Sequence, residues 1–329
     1  MSGLDGLGEF GLIRALTQGL PQTDSVVCGV GDDCAVVQFG DTQILLSCDA
    51  VVENIHFRRD WAAPEAIGWK AAAAALSDIA AMGGTARCIL TTLGCEHETS
   101  PSFLKAVYAG IDALVREYDV AIVGGDTVRT QQGLMLDITA VGEVNGAAAP
   151  KYRRNAKPGD IVAVTGYPGA AALGLAALER GDKGPESLIE AHVRPRPQLA
   201  AGAWLGREPA VHAMIDISDG LASDLGHIAT CSNVSIAIES AALPASADMH
   251  TYAKRIGGSI AACALGGGED YELAFTIAPE HATSLKERFC AAFDLPLAFI
   301  GAVHSGAAAV LVDDAPVPAK GYNHFQPEK

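Results

Sequence analysis

The sequence predicts a two-domain protein of the α/β or α+β class, and three observations support this prediction. The chain has 329 residues, whereas one domain usually takes about 100–200. Hydrophobic residues make up 49% of it, enough to bury a large core. Short apolar runs of β type alternate with alanine-rich helical stretches, which is typical of sheets covered by helices.

Each predicted element follows from its residues. Five short apolar runs read as strands, at positions 43–47, 120–123, 135–141, 161–165 and 273–277. The clearest helix begins at Pro64-Glu65, because proline needs no N–H in the first turn and glutamate suits the positive end of the helix. This helix ends at Met82, before Gly83-Gly84.

A linker is expected between positions 143 and 160. This segment has few large apolar residues and many glycines, prolines and charged residues, a composition typical of the connection between domains. We therefore predict an N-terminal domain over residues 1–150 and a C-terminal domain over residues 151–329.

Composition excludes several classes of protein. Lysine and arginine number 23 against 39 aspartates and glutamates, a formal charge of −16, so no nucleic-acid partner is expected. No apolar run approaches the roughly 20 residues that cross a bilayer, and the N-terminus does not resemble a signal peptide. We expect a cytoplasmic protein without a membrane partner. Eight cysteines without a Cys-x-x-Cys pair argue against a zinc ribbon or disulfide scaffold, and most are expected to be buried thiols.

Acidic residues recur at glycine-rich turns or just after apolar runs, as though to meet at one edge of a sheet. Each such residue could simply close a turn or cap a helix, but five groups together favour a site for Mg²⁺ and phosphate. No P-loop or Rossmann motif offers another phosphate site. The groups contain Asp32-Asp33, Cys48-Asp49, Gly124-Gly125-Asp126-Thr127, Asp216 with Ser218-Asp219, and Glu269-Asp270.

The pair Asp216 and Asp219 is the most informative of these groups. An apolar approach ends at Asp216, and an amphipathic segment begins after Asp219, so the two carboxylates can share a cation beside a helix N-terminus. Asp78 lies inside the alanine-rich helix, where neither propensity nor capping favours aspartate. His56 is a candidate substrate contact. Arg153 is a candidate phosphate ligand, although composition alone favours a solvated linker there.

Eight motifs in order resemble the thiamine-monophosphate kinases, a family of the aminoimidazole ribonucleotide synthetase-like superfamily. The resemblance spans almost the whole chain, and its specificity comes from the order and spacing of the motifs. They are Glu9-Phe10, Gly29-Val30-Gly31-Asp32-Asp33-Cys34-Ala35-Val36, His56-Phe57, Leu76-Ser77-Asp78-Ile79-Ala80-Ala81-Met82-Gly83, Gly124-Gly125-Asp126-Thr127, Asp216-Ile217-Ser218-Asp219-Gly220-Leu221, Gly267-Gly268-Glu269-Asp270-Tyr271-Glu272-Leu273 and Gly321-Tyr322-Asn323-His324-Phe325.

This resemblance implies a homodimer whose N-terminal sheets meet at the interface, with a C-terminal α/β domain completing the nucleotide and substrate site. It implies the reaction of ATP with thiamine monophosphate to give ADP and thiamine diphosphate, with Mg²⁺ as the cofactor. Several Mg²⁺ ions would bind Asp33, Ser47, Cys48, Asp49, Asp78, Asp126, Asp216 and Asp219. ATP would contact Gly125, Asp126, Arg153 and Ser218, and thiamine monophosphate would contact His56, Glu269 and Tyr322.

Three positions depart from the usual pattern of the family. Cys48 replaces a common threonine, and since a thiol is a poor ligand for a hard ion, its backbone carbonyl is the expected contact. Ala75 replaces an asparagine, and Arg154-Asn155 replaces Ser-Gly. None of these changes removes a carboxylate.

The expected chemistry is direct in-line transfer, with Asp78, Asp126, Asp216 and Asp219 as the catalytic carboxylates. The acceptor phosphate has a second pKa of about 6, so it needs no general base, and the residues offer no activated nucleophile for a phosphoenzyme. Glu269 is expected to attract the cationic thiazolium, and Tyr322 to stack on it. Two alternatives remain open: a related ATP-dependent synthetase that activates a carbonyl or amide oxygen, and a non-catalytic nucleotide or metal sensor.

Overall fold

The computed structural model of this protein describes residues 8–144 and 149–317. The first half contains one six-stranded sheet, in the order β1-β2-β3-β6-β4-β5, with only the pair β4 and β5 parallel. Its strands are β1 (Val26–Cys28), β2 (Ala35–Phe39), β3 (Thr42–Val52), β4 (Thr85–Cys95), β5 (Ala121–Arg129) and β6 (Met135–Val144). Its helices are α1 (Gly8–Thr17), α2 (Pro64–Ala81) and α3 (Pro101–Glu117).

The second half contains a seven-stranded sheet with seven described helices. The strands are β7 (Ile161–Thr165), β8 (Val211–Asp216), β9 (Val234–Ile238), β10 (Leu273–Ile277), β11 (Leu297–Ser305), β12 (Ala309–Val312) and β13 (Ala315–Val317). Their order is β13-β12-β9-β11-β7-β10-β8, and only β9 and β12 are parallel. The helices are α4 (Ala170–Arg180), α5 (Glu186–Val193), α6 (Leu199–Gly206), α7 (Leu221–Ser232), α8 (Ala247–Ile256), α9 (Ile260–Gly266) and α10 (Pro279–Ala292).

The predicted fold class and elements are confirmed. All five apolar runs correspond to strands, although Val120 lies one residue before β5, and the alanine-rich helix is α2. Two acidic motifs are not in turns as expected, because Asp49 lies within β3 and Asp126 within β5. Both strands continue through these polar residues because a neighbouring strand pairs with them, β6 with Asp49 and β4 with Asp126.

Helix α2 is the central element of the molecule because it is buried on nearly every side. Its alanine run permits close approach to other elements, and glycines bring its backbone even closer to α3. A Cβ atom at Gly68 would lie only 1.9 Å from the Val107 carbonyl oxygen, and one at Gly110 only 1.8 Å from the Glu65 carbonyl oxygen. The backbones of the two helices therefore pack directly against each other at these glycines. This close packing holds α2 in one position relative to α3.

The largest hydrophobic core joins both halves of the described chain. It contains Leu76 and Leu136 from the first half together with Met214, Phe275 and Phe289 from the second. The boundary between residues 150 and 151 stays a prediction. No helix within residues 8–144 and 149–317 is long and apolar enough to cross a membrane.

The expectation that most cysteines are buried is wrong. Cys34 alone is fully buried, whereas Cys48, Cys231 and Cys290 are exposed. Their strand and helix positions face solvent, so the thiol's preference for the interior does not decide their placement. All eight cysteines are free thiols.

Candidate active site

A cavity of about 570 Å³ opens between the two halves of the molecule. Its walls come from α2, β3, α4, α7 and the loop that follows α9. Among the residues that the structure describes, Arg153 is the only lysine or arginine that lines it. Seven carboxylates line it, those of Glu9, Asp49, Asp78, Glu179, Asp219, Asp224 and Glu269. This excess of negative charge makes the cavity a site for cations or for anions that arrive with cations.

Three carboxylates converge at one end of this cavity. Asp33, Asp78 and Asp216 each place an oxygen within 4.8 Å of the others. Ser77 Oγ donates a hydrogen bond to Asp216 Oδ2 at 2.6 Å, and Ser47 Oγ donates one to Asp78. Asp216 ends β8 and Asp78 lies near the end of α2, so regular elements of both halves hold this cluster.

The electrostatics of the cluster are unfavourable without a cation. Burial, followed by repulsion from Asp33, raises the pKa of Asp216 to about 8. Burial, followed by repulsion from Asp216 and Asp49, raises the pKa of Asp78 well above its usual value. Both shifts mean that the ionised carboxylates lack compensating positive charge. Oxygen donors in this state are suited to bind a divalent cation.

A second group of ligand atoms lies beside the first, at the start of α7. Asp219, Asp224 and His227 place ligand atoms within 4.8 Å of one another. Burial, then repulsion from Glu9, raises the pKa of Asp219 to about 6. Burial lowers the pKa of His227 to about 4, so its imidazole is neutral at pH 7. Asp224 Oδ2 also accepts the Gly220 N–H at 3.1 Å and so helps to cap the helix.

Arg153 is held against the carboxylate cluster rather than in a solvated linker. Its Nη2 lies 2.8 Å from Asp33 Oδ1, and its backbone N–H points at Asp32 Oδ2 at 3.3 Å. Burial, then repulsion from Asp33, raises the pKa of Asp32 to about 7. The guanidinium is therefore fixed at the edge of the cavity, where its remaining donors can meet phosphate oxygens.

A second part of the cavity wall surrounds Glu269. Lys70 Nζ donates to Glu269 Oε2 at 2.8 Å and to the His56 carbonyl oxygen at 3.0 Å. The imidazole of His192 lies 3.4 Å from the same glutamate oxygen, measured from Nδ1. Glu269 has the left-handed φ of 64°, which is uncommon for a residue with a side chain.

The loop that carries Glu269 is fastened at both of its ends. The Glu269 N–H donates to the Ser218 carbonyl oxygen at 2.8 Å, and a Cβ atom at Gly268 would lie 2.2 Å from that same oxygen. Asp270 accepts the N–H groups of Gly169 and Ala171 at the start of α4. Asp270 is thus a helix cap, which is the structural alternative that its motif left open.

The structure brings together most of the residues expected at the site. The residues expected from the sequence that line the cavity are Asp49, His56, Asp78, Arg153, Ser218, Asp219 and Glu269, and Asp33, Ser47 and Asp216 lie behind them in direct contact. Cys48 points away from them, since its Sγ lies 3.2 Å from Asp137 Oδ1 on β6. Tyr322 lies outside the described residues.

Gly125 and Asp126 are not brought to this cavity. Both are exposed on β5, the edge strand of the first sheet. Neighbouring strands align Ala50 with Asp137, Asp137 with Thr92, and Thr92 with Asp126. Asp126 is therefore three strand spacings from β3, about 14 Å, too far for its side chain to reach Asp78 within one chain.

Sequence reasoning missed three lining residues of this cavity, His192, Asp224 and His227, and Lys70, which lies behind its wall and contacts Glu269. Lys70 could have been noticed in the sequence. It directly precedes five alanines, and a charged residue is as unexpected in this alanine-rich helix as Asp78 is. Asp224 and His227 lie at helical spacing from Asp219, so the start of α7 could have been examined as one face. His192 offered no signal.

Comparison with known proteins agrees with this fold. Two family models match, "AIR synthase related protein, N-terminal domain" over residues 31–144 and "AIR synthase related protein, C-terminal domain" over residues 157–314. The fold and the carboxylate-lined cavity therefore define an AIR synthase related protein.

Similar individual proteins identify a narrower family within this class. Thiamine-monophosphate kinase of Bacillus subtilis (strain 168) is 37% identical over 97% of this chain and 100% of its own length. A solved structure described as AaThiL complexed with AMPPCP and TMP is 33% identical, with a TM-score of 0.87 over 99% of both chains. Thiamine monophosphate kinase from Aquifex aeolicus is 30% identical, with a TM-score of 0.80 over 96% of this chain and 99% of its own. This chain belongs to the thiamine-monophosphate kinase family.

Proposed function

We propose that the chain transfers the γ-phosphoryl group of ATP to thiamine monophosphate, giving ADP and thiamine diphosphate. The observation that carries the proposal is the cluster of Asp33, Asp78 and Asp216, whose oxygens lie within 4.8 Å of one another. Membership of the thiamine-monophosphate kinase family supports the reaction, and a relative solved with AMPPCP and TMP supports the pair of substrates.

The donor set of the cluster fits Mg²⁺. Carboxylate and hydroxyl oxygens suit hard divalent ions, and the raised pKa values of Asp78 and Asp216 support a cation between them. When bound, Mg²⁺ would neutralise the charge of the phosphates during transfer. We assign several ions to Asp33, Ser47, Asp49, Asp78, Asp216 and Asp219, together with the backbone carbonyl of Cys48. Asp126, which is too far from Asp78 within one chain, is assigned as a ligand contributed by a second copy of the chain.

The chain's own residues hold the nucleotide in this proposal. Arg153 contacts phosphate oxygens, because Asp32 and Asp33 fix its guanidinium at the cavity edge. Ser218 contacts ATP from the turn before α7. Gly125 and Asp126 contact ATP from the edge strand β5, which requires either a ligand that extends across the sheet or a second copy of the chain.

No residue is needed to deprotonate the acceptor. A phosphate monoester has its second pKa near 6, so its attacking oxygen is already largely ionised at neutral pH. His56 Nδ1 accepts the Val52 N–H at 3.0 Å, which leaves the proton of a neutral ring on Nε2. We assign His56 as a hydrogen-bond donor to thiamine monophosphate, and Glu269 and Tyr322 as its other contacts.

The proposal includes a homodimer formed through the N-terminal sheet. Val123 and Val128 expose apolar side chains on the edge strand β5, as does Leu90 on the neighbouring strand β4, and an exposed apolar edge favours pairing with another chain. Light scattering on the purified protein should give twice the mass of 33.9 kDa.

The proposal also includes a cytoplasmic location, because both ATP as a substrate and a chain of free thiols suit that compartment.

The decisive experiment supplies purified protein with ATP, Mg²⁺ and thiamine monophosphate and separates the products by chromatography. We expect equal amounts of ADP and thiamine diphosphate, no product from free thiamine as acceptor, and no turnover by the variant Asp216→Asn. Failure to form thiamine diphosphate while ATP still binds would refute the proposed reaction. A labelled phosphoprotein that passes its label to product would refute direct transfer.

A further inference from the structure

Lys70 is a cation in an unusual place. Its side chain is only 4% exposed, and it directly precedes the run Ala71–Ala75 in the buried helix α2. Burying an ammonium group is costly unless it is paired and hydrogen-bonded. Lys70 therefore has to be explained by its partners, all of which lie in the cavity wall.

Lys70 and His192 converge on one oxygen of Glu269. Lys70 Nζ lies 2.8 Å from Glu269 Oε2, and His192 Nδ1 lies 3.4 Å from it. Burial, then the Lys70 charge, lowers the pKa of His192 to about 4, so its imidazole is neutral at pH 7 and can turn an Nδ1–H toward the carboxylate. Oxygen Oε2 therefore already has two partners within the protein, Lys70 and His192.

The other oxygen, Oε1, has no hydrogen-bond partner among residues 8–144 and 149–317. The Glu269 side chain is 23% exposed and lines the cavity. Its backbone is held by the bond from its N–H to the Ser218 carbonyl oxygen. A carboxylate fixed at backbone and Oε2 presents Oε1 to a ligand in one orientation.

The ion pair also changes what this oxygen can recognise. With an ammonium 2.8 Å away, the carboxylate exerts little net attraction on a cation, since the two opposite charges largely cancel at a distance. A directional N–H donor still gains a full hydrogen bond to Oε1. Asp78 and Asp216 differ in this respect, because their side-chain hydrogen bonds come from Ser47 and Ser77 rather than from a lysine.

We infer that Lys70 and His192 are positioning residues that make Glu269 a hydrogen-bond acceptor for an amino group of the acceptor substrate, rather than a counter-ion for its cationic ring. This inference rests on the proposed function. Thiamine monophosphate carries one such donor, the exocyclic amino group of its pyrimidine. Glu269 thereby acts in specificity, and Lys70 and His192 act through Glu269.

The test compares three acceptors by their kcat/KM values. They are thiamine monophosphate, its analogue with hydrogen in place of the pyrimidine amino group, and its analogue with an uncharged thiophene in place of the thiazolium. In the wild-type protein the missing amino group should lower kcat/KM about 100-fold, because it leaves the acceptor Oε1 of Glu269 unpaired in the complex. In Glu269→Gln the same loss should shrink to less than about 5-fold.

Lys70→Met separates a positioning role from a merely structural one. Removing the ammonium leaves Glu269 mobile and negatively charged, so the amino-group discrimination should fall to about 10-fold. At the same time the preference for the charged ring over the thiophene should rise about 10-fold, because the carboxylate regains its attraction for cations. Lys105→Met, on the exposed face of α3, is the matched control and should leave both ratios unchanged.

Two results would overturn the inference. One is an amino-group discrimination that survives in Glu269→Gln, a variant that stays informative even if Lys70→Met does not fold. The other is a uniform loss for all three acceptors in Lys70→Met. If the wild-type protein turns over none of the acceptors, the proposed function fails, and calorimetric binding then decides the inference: preference for thiamine monophosphate over the desamino analogue supports it, and equal affinity overturns it.

Discussion

Two cavities of the same size, about 570 Å³ each, carry opposite charges in this molecule. The first is the acidic cavity described above. The second, here called the basic cavity, lies at the junction of the two halves, and no carboxylate from the described part of the chain lines it. Its charged or titratable lining residues are Lys151, Arg154, Lys157, Arg207 and His212.

The difference lies in how the charges are balanced. In the basic cavity, Lys151 Nζ donates to the carbonyl oxygens of Glu208 and Val211, both at 2.9 Å. Lys157 Nζ lies 3.1 Å from His212 Nε2, while His212 Nδ1 contacts Asp160 at 2.9 Å. The acidic cavity instead crowds carboxylates against one another. Volume therefore does not distinguish the two cavities, whereas repulsion between buried carboxylates, which raises the pKa values of Asp78 and Asp216, identifies the acidic cavity as the one suited to a ligand.

The largest effect is expected from Asp78→Asn. If the acidic cavity holds Mg²⁺, this change should lower kcat at least about 1000-fold. In EDTA it should raise the melting temperature, because it removes one of three mutually repelling carboxylates. Steady-state kinetics and thermal melts with and without Mg²⁺ measure both effects.

Asp41→Asn is the control for that substitution. Asp41 is exposed in the turn between β2 and β3, so its loss should change neither kcat nor the melting temperature. Normal turnover by the Asp78→Asn variant would contradict the assignment of Mg²⁺ to the acidic cavity.

Two glycine substitutions test whether each cavity wall matters to activity. Gly268→Ala and Gly206→Ala each place a Cβ atom 2.2 Å from a carbonyl oxygen, that of Ser218 or of Gly83. Both should destabilise the fold by about 1–3 kcal/mol. Only Gly268→Ala should also raise the KM for thiamine monophosphate, about 10-fold, because it displaces Glu269. Equal KM values for the two variants would contradict this distinction.

A smaller, pH-dependent effect is expected behind the acidic cavity, at Glu272. Burial raises the pKa of Glu272 to about 8, although its oxygens accept hydrogen bonds from Thr165 and Gln198. Since the folded pKa lies above the unfolded one, the folded state binds the proton more tightly, and stability falls as pH rises through about 8.

The variant Glu272→Gln should therefore flatten the decline in stability between pH 5 and pH 8, by an amount of the order of 3 kcal/mol. Denaturant melts at a series of pH values measure it. Parallel pH profiles for the variant and the wild-type protein would show that Glu272 is not the group responsible.

The smallest effect is expected from Lys157→Glu in the basic cavity. Lys157 contacts His212 near the start of β8, and Asp216 ends that strand. His212 and Asp216 are therefore about 13 Å apart along the strand, beyond the Debye length of about 8 Å at physiological ionic strength. The kcat/KM for thiamine monophosphate should change less than about 2-fold. A tenfold change would mean that the two cavities are coupled.

Much of the acidic cavity could be predicted because its residues lie in short, local sequence patterns. Asp216 and Asp219 flank one turn between a strand and a helix, so their local pattern contains both their chemistry and their placement. Asp78 was visible because aspartate is out of place in an alanine-rich helix. The strands and α2 followed from periodicity and helix-end signals, which are local as well.

Contacts between distant parts of the chain were not predictable in this way. Lys70 and Glu269 are 199 positions apart, and no periodicity connects them. Arg153 was misjudged from composition, because only the folded chain brings Asp33 to it. The position of Asp126 on an edge strand depends on strand order, which the apolar runs do not determine.

The hydrophobic core that joins both halves has a consequence for how the protein unfolds. Leu76 of α2 packs in the same cluster as Phe275 and Phe289 from the second half, so neither half can lose its packing without exposing apolar surface of the other. Melting should accordingly occur as one cooperative transition, with equal calorimetric and van't Hoff enthalpies, rather than as two successive steps.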